Sequence, residues 1–161
     1  MLLVQPLTGS HDRLRFDCQR SELNAWLRQV ARQHQDKGLS KTFVLVDESE
    51  PAKICGFYAL TLAELDRSQL PEIWHKKLPR RIPGVRLGRL VVDGVDQGKG
   101  FAELLLVDAI GRSRRIHQEA GGLGLFVDAM DERAAGFYRR YGFQSCPDQA
   151  LLLFLPTHHV N

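Results

Sequence analysis

A glycine-rich run with one lysine, Gln97-Gly98-Lys99-Gly100, stands directly before a predicted long helix. Glycines at a helix start let several backbone N–H groups point outward together, and the positive end of the helix dipole lies at the same place. These donors favour a phosphate or another anion, and the small side chain of Ala102 lets it approach the first turn. The run predicts an anion site, with a glycine-rich helix start that binds nothing as the plainer alternative.

The residues around this loop exclude several other chemistries. No Ser or Thr follows Lys99, as a nucleoside-triphosphate P-loop requires, and the glycines lack the GxGxxG spacing of a dinucleotide-binding unit. The six histidines are scattered without a spacing that suits zinc, so we predict no metal. The three cysteines have no neighbouring nucleophile motif and are interpreted as reduced thiols, mostly in the core: Cys18, Cys55 and Cys146.

The composition indicates what kind of protein must position this loop. The chain has 161 residues, of which 43% are hydrophobic and 25% charged, and its net charge is +3. These values are typical of one globular domain, here over 1–161, and exclude a disordered or coiled-coil chain. The mild basic excess permits an anionic partner without requiring one. No stretch suits a signal peptide or a membrane span, so we expect a soluble, cytoplasmic protein that binds no membrane.

Hydrophobic patterning predicts the order β-α-β-β-loop-β-α-β-α-β, an α/β chain with helices on the faces of a mixed sheet. The first helix is expected to be capped by Ser21 and to end before Gly38. Gly56 inside a strand suggests a bulge or a close backbone approach. Residues 66–84, rich in proline and basic residues, are predicted to be an irregular loop, either functional or a solvated surface crossing.

The second half contains the strand, loop and helix of the anion site. A Val-rich strand ends at Asp93, and the long helix after the loop has four apolar residues on one side: Leu104, Leu105, Ala109 and Ile116. After another strand, a short helix is predicted with Asp131 as N-cap and Gly142 as C-cap. Two strands broken at Pro147 complete the sheet.

Two motifs in this half carry a family resemblance. The first is Gln-x-x-Gly-x-Ala, at Gln97, Gly100 and Ala102. The second is Ala-x-x-Phe-Tyr-x-x-x-Gly-Phe, at Ala134, Phe137, Tyr138, Gly142 and Phe143. The pair resembles the GNAT acyltransferases over about residues 40–155. That resemblance implies a mixed, mostly antiparallel central sheet with splayed strands, flanked by helices.

The resemblance also implies acetyl-CoA as cosubstrate and assigns residues to it. The pantetheine arm would bond the backbone of Leu90, Val91 and Val92. Pyrophosphate would lie on Gln97, Gly98, Lys99, Gly100, Phe101 and Ala102, with Asp131 and Ala135 also in the cofactor site. Tyr138 matches the family tyrosine near the CoA sulfur, and its phenol, with a reference pKa of about 10, is suited to protonate the leaving thiolate. A tyrosine that merely packs beside Phe137 is the alternative.

A narrower resemblance extends over almost the whole chain. The segments FDCQRSELNAWL, CGFYALTLAEL, LPRRIPGVRLGRLVVD and LLLFLP together resemble the GNAT toxins of type II toxin–antitoxin operons. Those enzymes acetylate the α-amine of aminoacyl-tRNA and stop translation, which implies here an aminoacyl-tRNA substrate, a ribbon-helix-helix antitoxin and a homodimer. Two departures are Phe101-Ala102 in place of a small residue and glycine, and Asp128 where histidine is expected.

Basic residues that could bind tRNA phosphates form three sets in the sequence. The first is Arg67, His75, Lys76, Lys77, Arg80, Arg81, Arg86 and Arg89; the second is Arg112, Arg114, Arg115 and His117; the third is Arg133, Arg139 and Arg140. We predict that the first and third converge near Tyr138, with Arg80, Arg81 and Arg89 binding the acceptor. Arg89 is the strongest candidate, because a charge in mid-strand needs a partner or a ligand. Ordinary solvated surface charge is the alternative.

The sequence shows no obvious general base. The ester of an aminoacyl-tRNA withdraws electrons from the α-amine, so much of the amine is neutral at cytosolic pH. Glu64 is the candidate if a base is used, with a plain surface carboxylate as the alternative. Two other functions remain open: a GNAT enzyme acting on a small amine or a protein amine, and a non-catalytic module that binds CoA or only its antitoxin and DNA.

Overall fold

A computed structural model describes residues 1–76 and 78–157 of the chain. Its strands are β1 Leu2–Pro6, β2 Lys41–Asp47, β3 Gly56–Asp66, β4 Arg81–Val92, β5 Gly124–Asp128, β6 Gln144–Cys146 and β7 Gln149–Pro156. Its α-helices are α1 Ser21–Gln29, α2 Ala31–Asp36, α3 Phe101–Ala120 and α4 Glu132–Arg139. Lys77, predicted as one of the basic residues, lies outside the described residues.

The strands form a sheet in the order β1-β2-β3-β4-β5-β7-β6. The pairs β1–β2, β2–β3, β5–β7 and β6–β7 are antiparallel. The pair β4–β5 is parallel, with Val85–Leu87 opposite Leu125–Val127. The expected mixed, mostly antiparallel sheet flanked by helices is therefore confirmed.

The described residues form two compact units, the first of which comprises Met1–Thr61 and Gly88–Ala109. Its core packs α1 against β2 and β3, because the buried stripe of the helix meets alternate strand residues. The ring of Trp26 stacks on Phe57 at 6.1 Å between centroids, and Phe16 meets Phe57 edge-on at 5.3 Å. This aromatic cluster holds α1 on the sheet.

The second unit comprises Leu62–Leu87 and the described residues from Ile110 onward. Its core is built on Phe126, which stacks on Phe154 at 4.9 Å between centroids. Trp74 meets Phe154 edge-on at 6.1 Å, so the segment before β4 is packed onto this core. A single domain over the whole chain stays a prediction.

Two helix boundaries differ from the predictions. Ser21 is the first residue of α1 rather than its cap, because Arg20 occupies the N-cap position and no side chain caps the helix. The predicted continuous helix is broken at Val30, which ends α1 and precedes α2. At α4 the C-cap is Arg140, and Gly142 follows two residues later with φ of 95°.

Two further predictions about residues 66–84 and α3 need correction. The segment contains 3₁₀ turns at Arg67–Gln69 and Glu72–Trp74, but β4 already begins at Arg81. The strand includes Pro83, which has no N–H to donate, and the Pro83 carbonyl accepts a hydrogen bond from the Leu123 N–H at 2.9 Å. In α3, Leu104 is exposed and Leu106 is buried in its place. The close approach predicted at Gly56 is confirmed, since a Cβ there would lie 2.9 Å from the Val91 carbonyl oxygen.

Candidate active site

The loop between β4 and α3 has the conformation that its glycines predict. Gly98 and Gly100 have φ of 81° and 80°, in the left-handed region that other residues rarely adopt. A Cβ at either position would meet nothing within 4 Å, so only the backbone conformation requires glycine. Residues 97–100 are exposed, and α3 begins at the next residue. Its first N–H groups have no partner within the helix and are available to an anion.

A buried carboxylate lies beneath this loop. Asp96 is 3% exposed, and its carboxylate contacts Lys99 Nζ at 3.0 Å and Lys53 Nζ at 3.5 Å. Burial opposes ionisation, but the hydrogen bond and charge of Lys99 and the charge of Lys53 outweigh it, so the pKa of Asp96 is lowered. Lys99, predicted to bind pyrophosphate, is thus already paired with a side chain of its own loop.

The strand before the loop contains the residues predicted to bind pantetheine. Leu90, Val91 and Val92 are half-buried at the end of β4, and Val91 packs on the core under α1. The strand end is fixed by two hydrogen bonds, from the Asp93 N–H to the Cys55 carbonyl at 2.8 Å and from the Val95 N–H to the Asp93 carboxylate at 3.0 Å.

Tyr138 lies on α4 with its ring between two phenylalanines. The ring centroids of Phe137 and Phe143 are 5.3 and 5.5 Å away, and only 7% of Tyr138 is exposed. Burial raises the pKa of Tyr138 to about 12, because the phenolate would lose its hydration. The hydroxyl group is therefore protonated at neutral pH, in the form that can donate a proton.

The start of α4 has the cap that the sequence predicts. The Asp131 carboxylate accepts a hydrogen bond from the Ala134 N–H at 2.8 Å, which confirms Asp131 as the N-cap. Ala135, predicted for the cofactor site, is fully buried. A cofactor contact at Ala135 stays a prediction, as do the other cofactor contacts.

Two of the three arginines predicted to bind the acceptor are paired with acids. Arg80 Nε lies 3.2 Å from the Asp66 carboxylate, and an Arg81 guanidinium nitrogen lies 3.3 Å from Glu64. These four residues line one cleft together with Leu65. The Ser68 amide, together with Arg80, lowers the pKa of Asp66 to about 2. Glu64, the candidate base, thus faces a cation on an exposed surface.

The positive charge of Arg89 lies against an aromatic ring, whereas Arg80 and Arg81 each face a carboxylate. Its guanidinium carbon lies 4.0 Å from the centroid of the Trp26 ring, and burial lowers the pKa of Arg89. A mid-strand charge was expected to need a partner, and for Arg89 that partner is an aromatic ring of α1. The sequence does not reveal this partner, because nothing in one sequence indicates which strand residue will lie over a given helix residue.

Other charges predicted to affect the acceptor are also paired. Asp128, which departs from the resemblance, lies 3.1 Å from an Arg86 nitrogen. Arg139 contacts Glu132 at 2.5 Å. The alternative of ordinary surface charge therefore fits these arginines, and the predicted convergence of basic residues near Tyr138 stays a prediction.

Three further features of the described residues bear on the predicted chemistry. No helix there is both long and apolar enough to cross a membrane. No group of three or more His, Cys, Asp or Glu side chains in this part of the chain could hold a metal ion. All three cysteines are buried with free thiols, as predicted.

Comparison with known proteins gives matches over most of the chain. Residues 75–151 match the family model described as an acetyltransferase (GNAT) domain. The tRNA-acetylating toxin of Mycobacterium tuberculosis is 30% identical over 149 residues, covering 92% of this chain and 88% of the relative.

Two solved structures are similar to this fold. One is AtaT complexed with acetyl-methionyl-tRNAfMet, with a TM-score of 0.89 and 33% identity, covering 98% of this chain and 95% of that one. The other is a Tyr-to-Phe mutant of AtaT bound to the C-terminus of the antitoxin AtaR and acetyl-CoA, with a TM-score of 0.79 and 29% identity. This match covers 97% of this chain and 93% of that one. Both similarities include the N-terminal helices as well as the acetyltransferase core.

Proposed function

The chain belongs to the GNAT acetyltransferase family, and from that premise we propose that it is a toxin that acetylates aminoacyl-tRNA. It is an acetyl-CoA-dependent N-acetyltransferase, and its acceptor is the α-amine of an aminoacyl-tRNA. The observation that carries the acceptor is the similarity, over 92% of the chain, to a tRNA-acetylating toxin. Acetylation of that amine blocks translation.

We assign acetyl-CoA binding to β4 and to the loop that follows it. The backbone of Leu90–Val92 bonds the pantetheine arm, and the N–H groups of residues 97–102 bind the pyrophosphate. This assignment is supported by the left-handed Gly98 and Gly100, which leave an exposed turn at the helix start. Asp96 supports the loop through Lys99. We also propose Asp131 and Ala135 of α4 as cofactor-binding residues, on the resemblance alone.

The reaction is direct acyl transfer. The neutral α-amine attacks the thioester carbonyl, a C–N bond forms, and the C–S bond breaks as the tetrahedral intermediate collapses. Backbone N–H groups polarise the carbonyl oxygen. The Tyr138 hydroxyl gives its proton to the departing thiolate, while the attacking nitrogen loses one proton to water, from which Tyr138 is reprotonated. The products are CoA thiol and N-acetyl-aminoacyl-tRNA.

No general base is assigned in this mechanism. Glu64 lies 3.3 Å from Arg81 on an exposed surface, which favours its interpretation as a surface carboxylate. The reduced basicity of an aminoacyl ester amine supports a reaction without a strong base.

We further propose that Arg80, Arg81 and Arg89 bind the tRNA, that the toxin is a cytoplasmic homodimer, and that its antitoxin is a ribbon-helix-helix protein. Arg89 is the best supported of the three, since its compensation by an aromatic ring leaves its hydrogen-bond donors for a ligand. For Arg80 and Arg81, tRNA must compete with Asp66 and Glu64.

The decisive experiment is transfer of label from radioactive acetyl-CoA into total charged tRNA, with deacylated tRNA and Tyr138→Phe as controls. We expect label in the charged tRNA only, lost on mild alkaline hydrolysis of the aminoacyl ester. Label in a small amine or a protein would refute the acceptor while keeping the enzyme. No label in any acceptor would favour the non-catalytic module.

A further inference from the structure

A half-buried arginine on β4 is held by a ring instead of a carboxylate. Arg89 lies over Trp26 at 4.0 Å. Three other arginines on or beside β4 each face an acid: Arg80, Arg81 and Arg86. Over residues 1–76 and 78–157, no carboxylate or hydrogen-bond acceptor is found bonded to the Arg89 guanidinium. Its donors are therefore available to a ligand.

The ring beneath Arg89 is itself rigidly placed. Trp26 stacks on Phe57 with an interplanar angle of 10°, and His34 meets its ring edge-on at 6.4 Å between centroids. Only 9% of Trp26 is exposed. A guanidinium on such a surface is restricted in orientation, while the contact uses its π face and leaves its N–H groups unused. The arrangement pre-orients a hydrogen-bonding fork.

The position of this fork in the strand is informative. Arg89 directly precedes Leu90–Val92, the proposed pantetheine segment, and its side chain lies on the α1 face, where Val91 also packs. On the proposed function, the segment that binds the pantetheine arm therefore directly follows this arginine in the sequence. A planar fork of N–H donors matches the paired oxygens of a phosphate. In an aminoacyl-tRNA, the phosphate nearest to the reacting amine along the RNA is the last internucleotide phosphate.

We propose that Trp26 is a positioning residue that presents the Arg89 guanidinium to the last internucleotide phosphate of the acceptor tRNA. The inference rests on the proposed function and makes it more specific. Arg89 contributes to acceptor binding and alignment and takes no part in proton transfer, and Trp26 acts only through Arg89.

The test combines a change in the protein with a change in the RNA. The acceptor is aminoacyl-tRNA whose last internucleotide phosphate is replaced by an uncharged methylphosphonate. We expect Arg89→Met to raise the KM for unmodified aminoacyl-tRNA by about tenfold with little change in kcat. The methylphosphonate should raise the wild-type KM by a similar factor and leave the KM of Arg89→Met unchanged.

Two Trp26 variants separate positioning from folding. Trp26→Phe keeps a ring under the guanidinium and should retain most of the discrimination between the two acceptors, whereas Trp26→Leu should lose it. Thermal unfolding of both variants checks the core, and if Trp26→Leu does not fold, the Arg89→Met result decides alone. Lys37→Met removes one exposed positive charge at the end of α2 and should leave the discrimination intact.

The possible results are distinguishable. Additive effects of Arg89→Met and the methylphosphonate on KM would refute the contact, as would an unchanged KM in Arg89→Met. If the wild-type enzyme labels aminoacyl-tRNA in those cases, only this inference fails. If it labels no tRNA at all, the proposed function fails with it.

Discussion

Two regions of the molecule are expected to bind anions, and they offer different groups for it. The loop 97–100 is exposed and offers backbone N–H groups at the start of α3. The cleft around Arg80 and Arg81 offers guanidinium groups that already face Asp66 and Glu64. Exposed ion pairs of this kind contribute little and compete with a ligand. Anion affinity should therefore follow the available donors and not the number of basic residues.

The largest expected effect is on the chemical step, with substrate binding in both regions left nearly unchanged. Tyr138→Phe removes the proton donor but leaves the loop and the arginines unchanged, so kcat should fall about 100-fold or more. The KM values for acetyl-CoA and aminoacyl-tRNA should change by less than about threefold, because neither anion-binding region is altered. Steady-state kinetics with each substrate varied in turn measures both. A wild-type kcat in the variant would refute Tyr138 as the acid.

The next effect tests the loop. Gly100→Ala places a Cβ at φ of 80°, which costs roughly 1–2 kcal/mol. If the loop adopts another conformation to relieve this strain, its N–H groups no longer converge, and the KM for acetyl-CoA should rise about tenfold. Gly111→Ala is the matched control, since it lies inside α3 with nothing within 4 Å of its Cβ position. An unchanged KM in Gly100→Ala would contradict pyrophosphate binding by this turn.

Local chemistry explains which parts of these regions could be predicted. Glycines that need a left-handed backbone and an aspartate that caps α4 act within a few residues, so a single sequence reveals them. Pairs such as Arg81–Glu64 and the stack of Arg89 on Trp26 depend on strand register and helix placement. The hydrophobic periodicity of the sequence specifies neither the strand register nor the placement of the helix. Leu104 was assigned to the wrong side for a related reason, because an apolar stripe on a long helix fits more than one rotation about the helix axis.

A smaller effect tests the arginine cleft directly. Glu64→Gln removes the carboxylate that faces Arg81, so a tRNA phosphate no longer has to displace that carboxylate. The KM for aminoacyl-tRNA should therefore fall by about two- to threefold. If Glu64 were instead the general base, the same variant would lose kcat and leave the KM for aminoacyl-tRNA unimproved. Steady-state kinetics with aminoacyl-tRNA as the varied substrate distinguishes these results. Arg81→Met should raise the same KM by a comparable factor.

The smallest effect concerns stability rather than binding. The Ser68 amide and Arg80 hold the pKa of Asp66 at about 2, below its usual value of 3.8. A lowered pKa stabilises the fold above pH 3.8, and this stabilisation is lost as pH falls from about 4 to about 2. Asp66→Asn should lower Tm by about 2 °C or less at neutral pH, because the pair is exposed and screened. That difference should shrink below pH 4, and thermal unfolding from pH 2 to 7 measures it. A difference independent of pH would mean that the Asp66 charge is not involved, and that Arg80 is available to tRNA despite its distance of 3.2 Å from the carboxylate.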